Sequence, residues 1–327
     1  MPLFTSNFSP NRPFRNGHFN TMYRPIFMND KVNYSRKRID TWDNDFFDLD
    51  FSFVNSKDLV LLIHGLEGCS KSTYMTSNTK HFNKLGMDVV CMNLRGCSGE
   101  DNLLLPTYHS GKTEDIDFVV NYILNNYNYE NIIIVGFSLG GNLTLKYLGE
   151  KGNSISSKIK GGVAISVPID IASAEKEMDK LKNKLYIDLF LKTMKNKVLE
   201  KAHKFPDFKL DKDKLFKASK FKHIEHLYTV PVFGFKNPED YWARASSKPY
   251  LLKIKVPTLL INASDDSFLS KECYPYKEAK KSDYFFFEEP KYGGHCGFMS
   301  SLKSKENTWL ERRIEHFIKE IIQIDIQ

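Results

Sequence analysis

A doubly wound, mostly parallel α/β sheet is the fold this sequence predicts, and three observations predict it. Short apolar runs suited to strands buried on both faces alternate with segments of helical periodicity. A glycine-bracketed serine, in "NIIIVGFSLGGNLTLKYLGEKG", lies where one such run meets a helical pattern. The alternation is interrupted once, between about residues 167 and 250, by a lysine-rich stretch with no strand pattern.

The elements follow in order. The opening "MPLFTSNFSPNRPFRNGHFN" breaks every apolar pair with Pro, Asn or Arg and has no signal-peptide h-region, so residues 1–30 read as an extension of a cytoplasmic protein. "LVLLIHG" (59–65) and "DVVCMNL" (88–94) are the first core strands. After Thr113, the acidic Glu114, Asp115 and Asp117 suit a helix N-terminus, and Ile116, Val119, Val120, Ile123 and Leu124 trace its apolar stripe. The β-branched run Ile132–Val135 is the next strand. Leu139, Leu143, Leu145 and Leu148 continue as a helix that Gly149 and Gly152 can stop. "GGVAIS" (161–166), "PTLLINA" (257–263) and "DYFFFEEP" (283–290) complete the strand set. The lysine-rich stretch has apolar residues at helical spacing, Leu181, Leu185, Leu189, Met194 and Val198, and reads as a helical insertion. The chain closes on "ENTWLERRIEHFIKEIIQ", a helix packing through Trp309, Leu310, Ile314, Phe317, Ile318 and Ile321, with His316 as a structural residue. The predicted division is therefore a core over 1–167, a helical cap over 168–245 and the second part of the core over 246–327.

Composition limits the function classes. The 327 residues are 41% hydrophobic and 13% aromatic, enough for a large core, and no apolar run approaches the roughly 20 residues that cross a bilayer. The protein should be soluble, without stable membrane insertion. Five cysteines, Cys69, Cys91, Cys97, Cys273 and Cys296, form no CxxC pair and read as reduced thiols. Net charge is +7, and the segment 175–222 alone, with 15 Lys against 8 acidic residues, accounts for the whole excess. No zinc-finger spacing or RNP-like aromatic pattern accompanies those lysines, so nucleic acid is not an expected partner and a solvated helical surface is.

The chemistry-bearing residues fall just beyond strand ends, where open parallel sheets bind ligands. Gly136 and Gly140 remove the β-carbons that would clash in a sharp strand-to-helix turn, leaving Ser138 exposed in a strained conformation. A bare reading of the same turn is a helix N-cap. A serine hydroxyl attacks a carbonyl only with an imidazole base and a carboxylate to orient it. Asp265 and Asp266 follow one strand and His295, in "KYGGHCGF", follows another, giving the order Ser138, Asp266, His295. Asp266 has the better spacing from its strand, and Asp265 would cap the turn. The strand before "HGLEG" ends at Gly65, which lets backbone approach substrate. The N–H groups of Leu66 and Leu139 could then form an oxyanion hole, with His64 orienting the loop. His64, His109 and His295 lack metal-site spacing, so neither metal nor cofactor is expected.

The motifs "IHGLEGCSKSTY", "NLRGCSG", "YHSGKTEDI", "GFSLGGN", "VPTLLINASDDSF" and "YGGHCGF", with "NGHFNTMYRP" near the start, resemble the YheT-like branch of the α/β-hydrolases and its eukaryotic esterase relatives. The resemblance covers nearly the whole chain. It implies an α/β-hydrolase sheet with the cap inserted before the strand carrying the acid, and a serine hydrolase of carboxylic esters with Ser138, Asp266 and His295 as its triad. Ser267 departs from the pattern, standing where proline often follows the acid, and the membrane-anchoring helix of animal relatives is not seen. The substrate would be a small-molecule or lipid-like ester, with Tyr186, Phe190 and Met194 of the cap lining an acyl pocket and the cap lysines permitting peripheral lipid contact. Acyl transfer by the same triad, or ligand binding without catalysis on the same scaffold, stays open at this level.

Overall fold

The computed structural model describes residues 2–302 and 308–325. The strands are β1 (Leu3–Phe4), β2 (Ser35–Asp40), β3 (Phe46–Ser52), β4 (Asp58–Ile63), β5 (Asp88–Met92), β6 (Asn131–Phe137), β7 (Ile159–Ile165), β8 (Thr258–Ile261) and β9 (Phe285–Glu288). They form one sheet in the order β1-β9-β8-β7-β6-β4-β5-β3-β2. Every pairing from β1 through β5 in that order is parallel, and β3 is antiparallel to both β5 and β2. From β4 the chain moves one way to β5 and, from β6 onward, the other way to β9. The switch point is the crevice between β4 and β6, and the loops leaving those two strands meet there.

The helices before the insertion are α1 (Gly17–Phe27), α2 (Thr73–Lys84), α3 (Thr113–Asn126) and α4 (Leu139–Lys151). Between β7 and β8 run α5 (Ile171–Met178), α6 (Lys184–Lys204), α7 (Lys212–Lys217), α8 (Phe221–Ile224), a π-helical turn (Glu225–Thr229), α9 (Val230–Phe233) and α10 (Pro238–Ala245). Then come α11 (Tyr276–Lys281) and α12 (Trp309–Phe317), the latter extended by a π-helical turn over Ile318–Ile322. The sheet separates two apolar layers. Alternate residues Leu59, Leu61 and Ile63 of β4 face one, and Val60 and Leu62 face the other.

Two segments carry more structure than their sequence suggests. β2 and β3 are charged, yet Phe47, Leu49 and Phe51 alternate into the core while Asp48 and Asp50 are held by Arg38 at 2.8 Å and Arg36 at 2.7 Å. The first thirty residues are more than a trailing extension. Asn16 caps α1 by accepting the Phe19 N–H at 3.0 Å, and Arg24 of α1 is buried against Glu311 of α12.

The insertion is helical as its spacing predicts, but its apolar stripe is placed differently. Leu181, Leu185 and Leu189 are 85%, 60% and 52% exposed, and the packing face of α6 is Tyr186, Ile187, Leu191 and Val198. The i, i+4 ridge drifts around a 3.6-residue helix, so a row of leucines four apart does not coincide with the buried face. Nor are all cap lysines solvated. Lys201 is buried and donates to the Asn102 carbonyl and side-chain oxygens at 2.9 and 2.8 Å. On α12 the predicted packing residues Trp309, Leu310, Ile314, Phe317 and Ile318 are buried, while His316 is exposed. Glu306 and Asn307, the start of the expected helix, lie outside the described residues. Among the described residues no helix is long and apolar enough to cross a membrane.

Candidate active site

Ser138 occupies the single residue between β6 and α4, at φ 53° and ψ −117°, a strained backbone for a residue with a β-carbon. The turn is this tight because its flanks have no side chains. A β-carbon on Gly136 would lie 2.3 Å from the Gly140 carbonyl oxygen, and one on Gly140 would lie 2.3 Å from that of Ile63. The second contact shows how closely the first turn of α4 packs on the end of β4. Gly65, two residues past β4, sits beside the serine, where a β-carbon would be 3.1 Å from Ser138 Cβ.

The loops after β8 and β9 bring two further side chains to Ser138. His295 Nε2 lies 2.9 Å from Ser138 Oγ, and His295 Nδ1 lies 2.9 Å from Asp266 Oδ2. Asp266 is 3% exposed, and its other oxygen accepts the Phe268 N–H at 3.0 Å, so both oxygens are engaged. A carboxylate on Nδ1 fixes the tautomer whose Nε2 can accept the serine proton. Asp265 is turned elsewhere. It accepts the Gly294 N–H at 2.8 Å, and burial pushes its carboxyl up to about 6. The imidazole is stacked on Phe268 at 4.2 Å, and the backbone of the same residue is fixed by the Thr21 hydroxyl, which accepts the His295 main-chain N–H at 2.8 Å. Thr21 belongs to α1, a participant the sequence offered no local signal for. Cys296 beside it is a packing residue, its thiol pushed up to about 12 by burial.

Leu66 and Leu139, whose N–H groups the sequence suggests as an oxyanion pair, both line the cavity that Ser138 lines. Their loop is fixed from below. Buried His64 contacts the Gly65 carbonyl through Nδ1 at 2.8 Å and accepts the Leu94 N–H at Nε2 at 3.0 Å. The second bond requires the proton on Nδ1, and burial pushes the imidazole down to about 4, so it stays neutral. Tyr74 Oη accepts the Gly65 N–H at 3.0 Å. Glu67, next in the loop and at φ 56°, gives its N–H to Tyr108 Oη at 2.9 Å, and its carboxylate accepts from Tyr108 at 2.7 Å and from Lys197 Nζ at 3.0 Å. Lys197 is on α6, so the cap is tied directly to this loop. A pairing across so many residues leaves no mark in the local sequence.

Ser138 lies at an open cavity of about 600 Å³. Tyr186, Phe190 and Met194 of α6 line it, as the sequence predicts, together with Met22 of α1. Two carboxylates that no motif announced, Glu175 and Glu225, also face it. Among the described residues no cluster of side chains has a metal-binding arrangement. His109 packs edge-on against Phe233 and Tyr241, and burial holds its imidazole at about 3.

A family model described as the alpha/beta hydrolase fold matches residues 58–302. The chain is 29% identical over 320 residues to the candidate esterase YheT of Escherichia coli, covering 96% of this chain and 93% of that one. It is also 29% identical over 334 residues to phospholipase ABHD3 of Homo sapiens, covering 98% of this chain and 81% of that one. Among solved structures, the esterase Pf2001 of Pyrococcus furiosus superposes with a TM-score of 0.57 at 18% identity, over 88% of this chain and 92% of that one.

Proposed function

Because the chain belongs to the α/β-hydrolase fold family, we propose that it hydrolyses carboxylic esters through a covalent acyl-enzyme on Ser138. The observation that carries the reading is the unbroken relay from Ser138 Oγ through His295 to Asp266, two contacts of 2.9 Å each. Ser138 Oγ attacks the ester carbonyl carbon while His295 Nε2 takes its proton. The carbonyl oxygen becomes an oxyanion between the N–H groups of Leu66 and Leu139, the second of which begins α4 and has the positive end of the helix dipole behind it. Collapse expels the alcohol, which receives the proton from His295. Water, deprotonated by the same imidazole, then releases the acid and frees the serine. Asp266 stays ionised and orients the ring throughout.

The substrate class we propose is an acyl or lipid-like ester. The apolar lining from Met22, Phe190 and Met194 supports this, and the names of the relatives, esterase and phospholipase, agree with it. Residues 168–245 act as a cap that shapes the pocket and excludes water. The five cysteines, none of them paired, accord with a reducing cytoplasm.

Pre-steady-state hydrolysis of p-nitrophenyl butyrate tests the mechanism. A burst of nitrophenol close to one equivalent per chain, followed by slower turnover, is expected of an acyl-enzyme whose deacylation limits the rate. Product formation with no covalent butyryl adduct on Ser138 in the quenched protein would contradict it. Adding an alcohol that raises total turnover while forming a new ester would identify acyl transfer by the same intermediate.

A further inference from the structure

The chain leaves β4 through a turn from Gly65 to Gly68, closed by the Gly68 N–H on the Gly65 carbonyl at 3.0 Å. Leu66 and Glu67 are its central residues, and Glu67 is at φ 56°, the conformation that a type II turn ordinarily gives to glycine at this place. A side chain here is strained, and such strain persists only where the surroundings impose it. Tyr108 Oη accepts the Glu67 N–H at 2.9 Å and returns its own proton to the Glu67 carboxylate at 2.7 Å, so one hydroxyl clamps backbone and side chain together. The carboxylate is only 8% exposed, and Lys197 Nζ, reaching it from α6 at 3.0 Å, supplies the countercharge.

The same ammonium donates to Cys97 Sγ at 3.3 Å and lies 5.6 Å from the centre of the Tyr108 ring. One cap lysine thus joins α6 to the loop after β4 and to the segment after β5. On the other side of the turn, the Gly65 N–H is taken by Tyr74 Oη at 3.0 Å. Between these two engaged N–H groups stands that of Leu66, which has no acceptor among the described residues. The neighbours of one free donor are bound, and the residue that follows it is held in a conformation it would not choose.

We propose that Glu67 and Lys197 are positioning residues for ester hydrolysis: the cap, through Lys197, holds Glu67 in its left-handed conformation and so fixes the peptide that offers the Leu66 N–H to the oxyanion. The inference rests on the reading of Ser138 as nucleophile and of Leu66 as an oxyanion donor. Neither Glu67 nor Lys197 touches the reacting atoms.

Steady-state hydrolysis of p-nitrophenyl acetate tests it, with thermal unfolding to confirm that each variant is folded. The oxyanion exists only in the transition state, so a loosened turn should lower kcat and leave KM near its parent value. Lys197→Met keeps the alkyl stem and should lower kcat at least about tenfold, as should Glu67→Ala. Glu67→Gly also abolishes the ion pair but takes φ above zero without strain, so it should keep several times more kcat than Glu67→Ala. In the Glu67→Gly background Lys197→Met should change kcat by less than about twofold, because the lysine acts only through Glu67. Lys192→Met, exposed on the same helix, should leave kcat unchanged. Parent kcat in folded Lys197→Met, or a raised KM at parent kcat, would overturn the proposal by reducing the lysine to a packing residue of the cap. Equal losses in Glu67→Ala and Glu67→Gly would overturn it too, and that comparison stands even if Lys197→Met does not fold. Any of these results with a fluorophosphonate adduct on wild-type Ser138 defeats this inference alone. A wild type with neither adduct nor turnover defeats the hydrolase reading, and this inference with it.

Discussion

The two carboxylates at the turn after β8 show how one position decides a role. Asp266 meets His295 Nδ1 at 2.9 Å, whereas Asp265 faces the Gly294 N–H. Asp266→Asn should therefore lower kcat far more than Asp265→Asn, since only the first change can leave the imidazole in the wrong tautomer. Ser138→Ala and His295→Ala should each lower kcat by at least about a thousandfold with an unchanged circular dichroism spectrum. Near-normal turnover in either, or the opposite ranking of the aspartates, would sink these assignments. The meeting of Ser138, Asp266 and His295 was legible because each sits in a short motif directly after a strand. Thr21, Lys197, Glu175 and Glu225 were not, because each acquires its place by contact with residues far away in the chain.

Strands and helices with a simple period were legible in the same way. Runs such as Ile132–Val135 are apolar on both faces, and α3 shows its stripe openly. β2 and β3 were hidden because buried Asp48 and Asp50 read as exposed until the arginines opposite them are known. On α6 the leucines four apart misplace the buried face. In the proposed mechanism the loop after β4 acts through its backbone alone. Leu66→Ala keeps the N–H and should be mild, whereas Leu66→Pro deletes it and should remove about 3 kcal/mol of transition-state stabilisation. Steady-state kinetics on the folded variants decides the matter, and full activity in the proline variant would place the oxyanion elsewhere.

Across the whole molecule, the buried pair of Arg24 and Glu311 joins the first helix to the last and so holds Thr21 and Met22 at the cavity. Burial alone would raise the Glu311 carboxyl, but Arg24 and hydrogen bonds from Thr308 and Ser77 outweigh it and hold it at about 2. A carboxyl held below its unfolded value contributes stability that is complete above that unfolded value of 4.5 and is lost as pH falls toward 2. That contribution is on the order of 3 kcal/mol. Urea unfolding should show wild type losing more stability between pH 5 and pH 2.5 than Glu311→Gln, which is weaker throughout but flatter in that window. Parallel curves would remove the pair from the acid response. The central claim, that Ser138 is an activated nucleophile, is tested most directly by peptide mapping of the protein after reaction with a fluorophosphonate. The account predicts one adduct, on Ser138, absent from Ser138→Ala and slowed by orders of magnitude in His295→Ala. No adduct on the folded wild type, or an adduct confined to another residue, would contradict it.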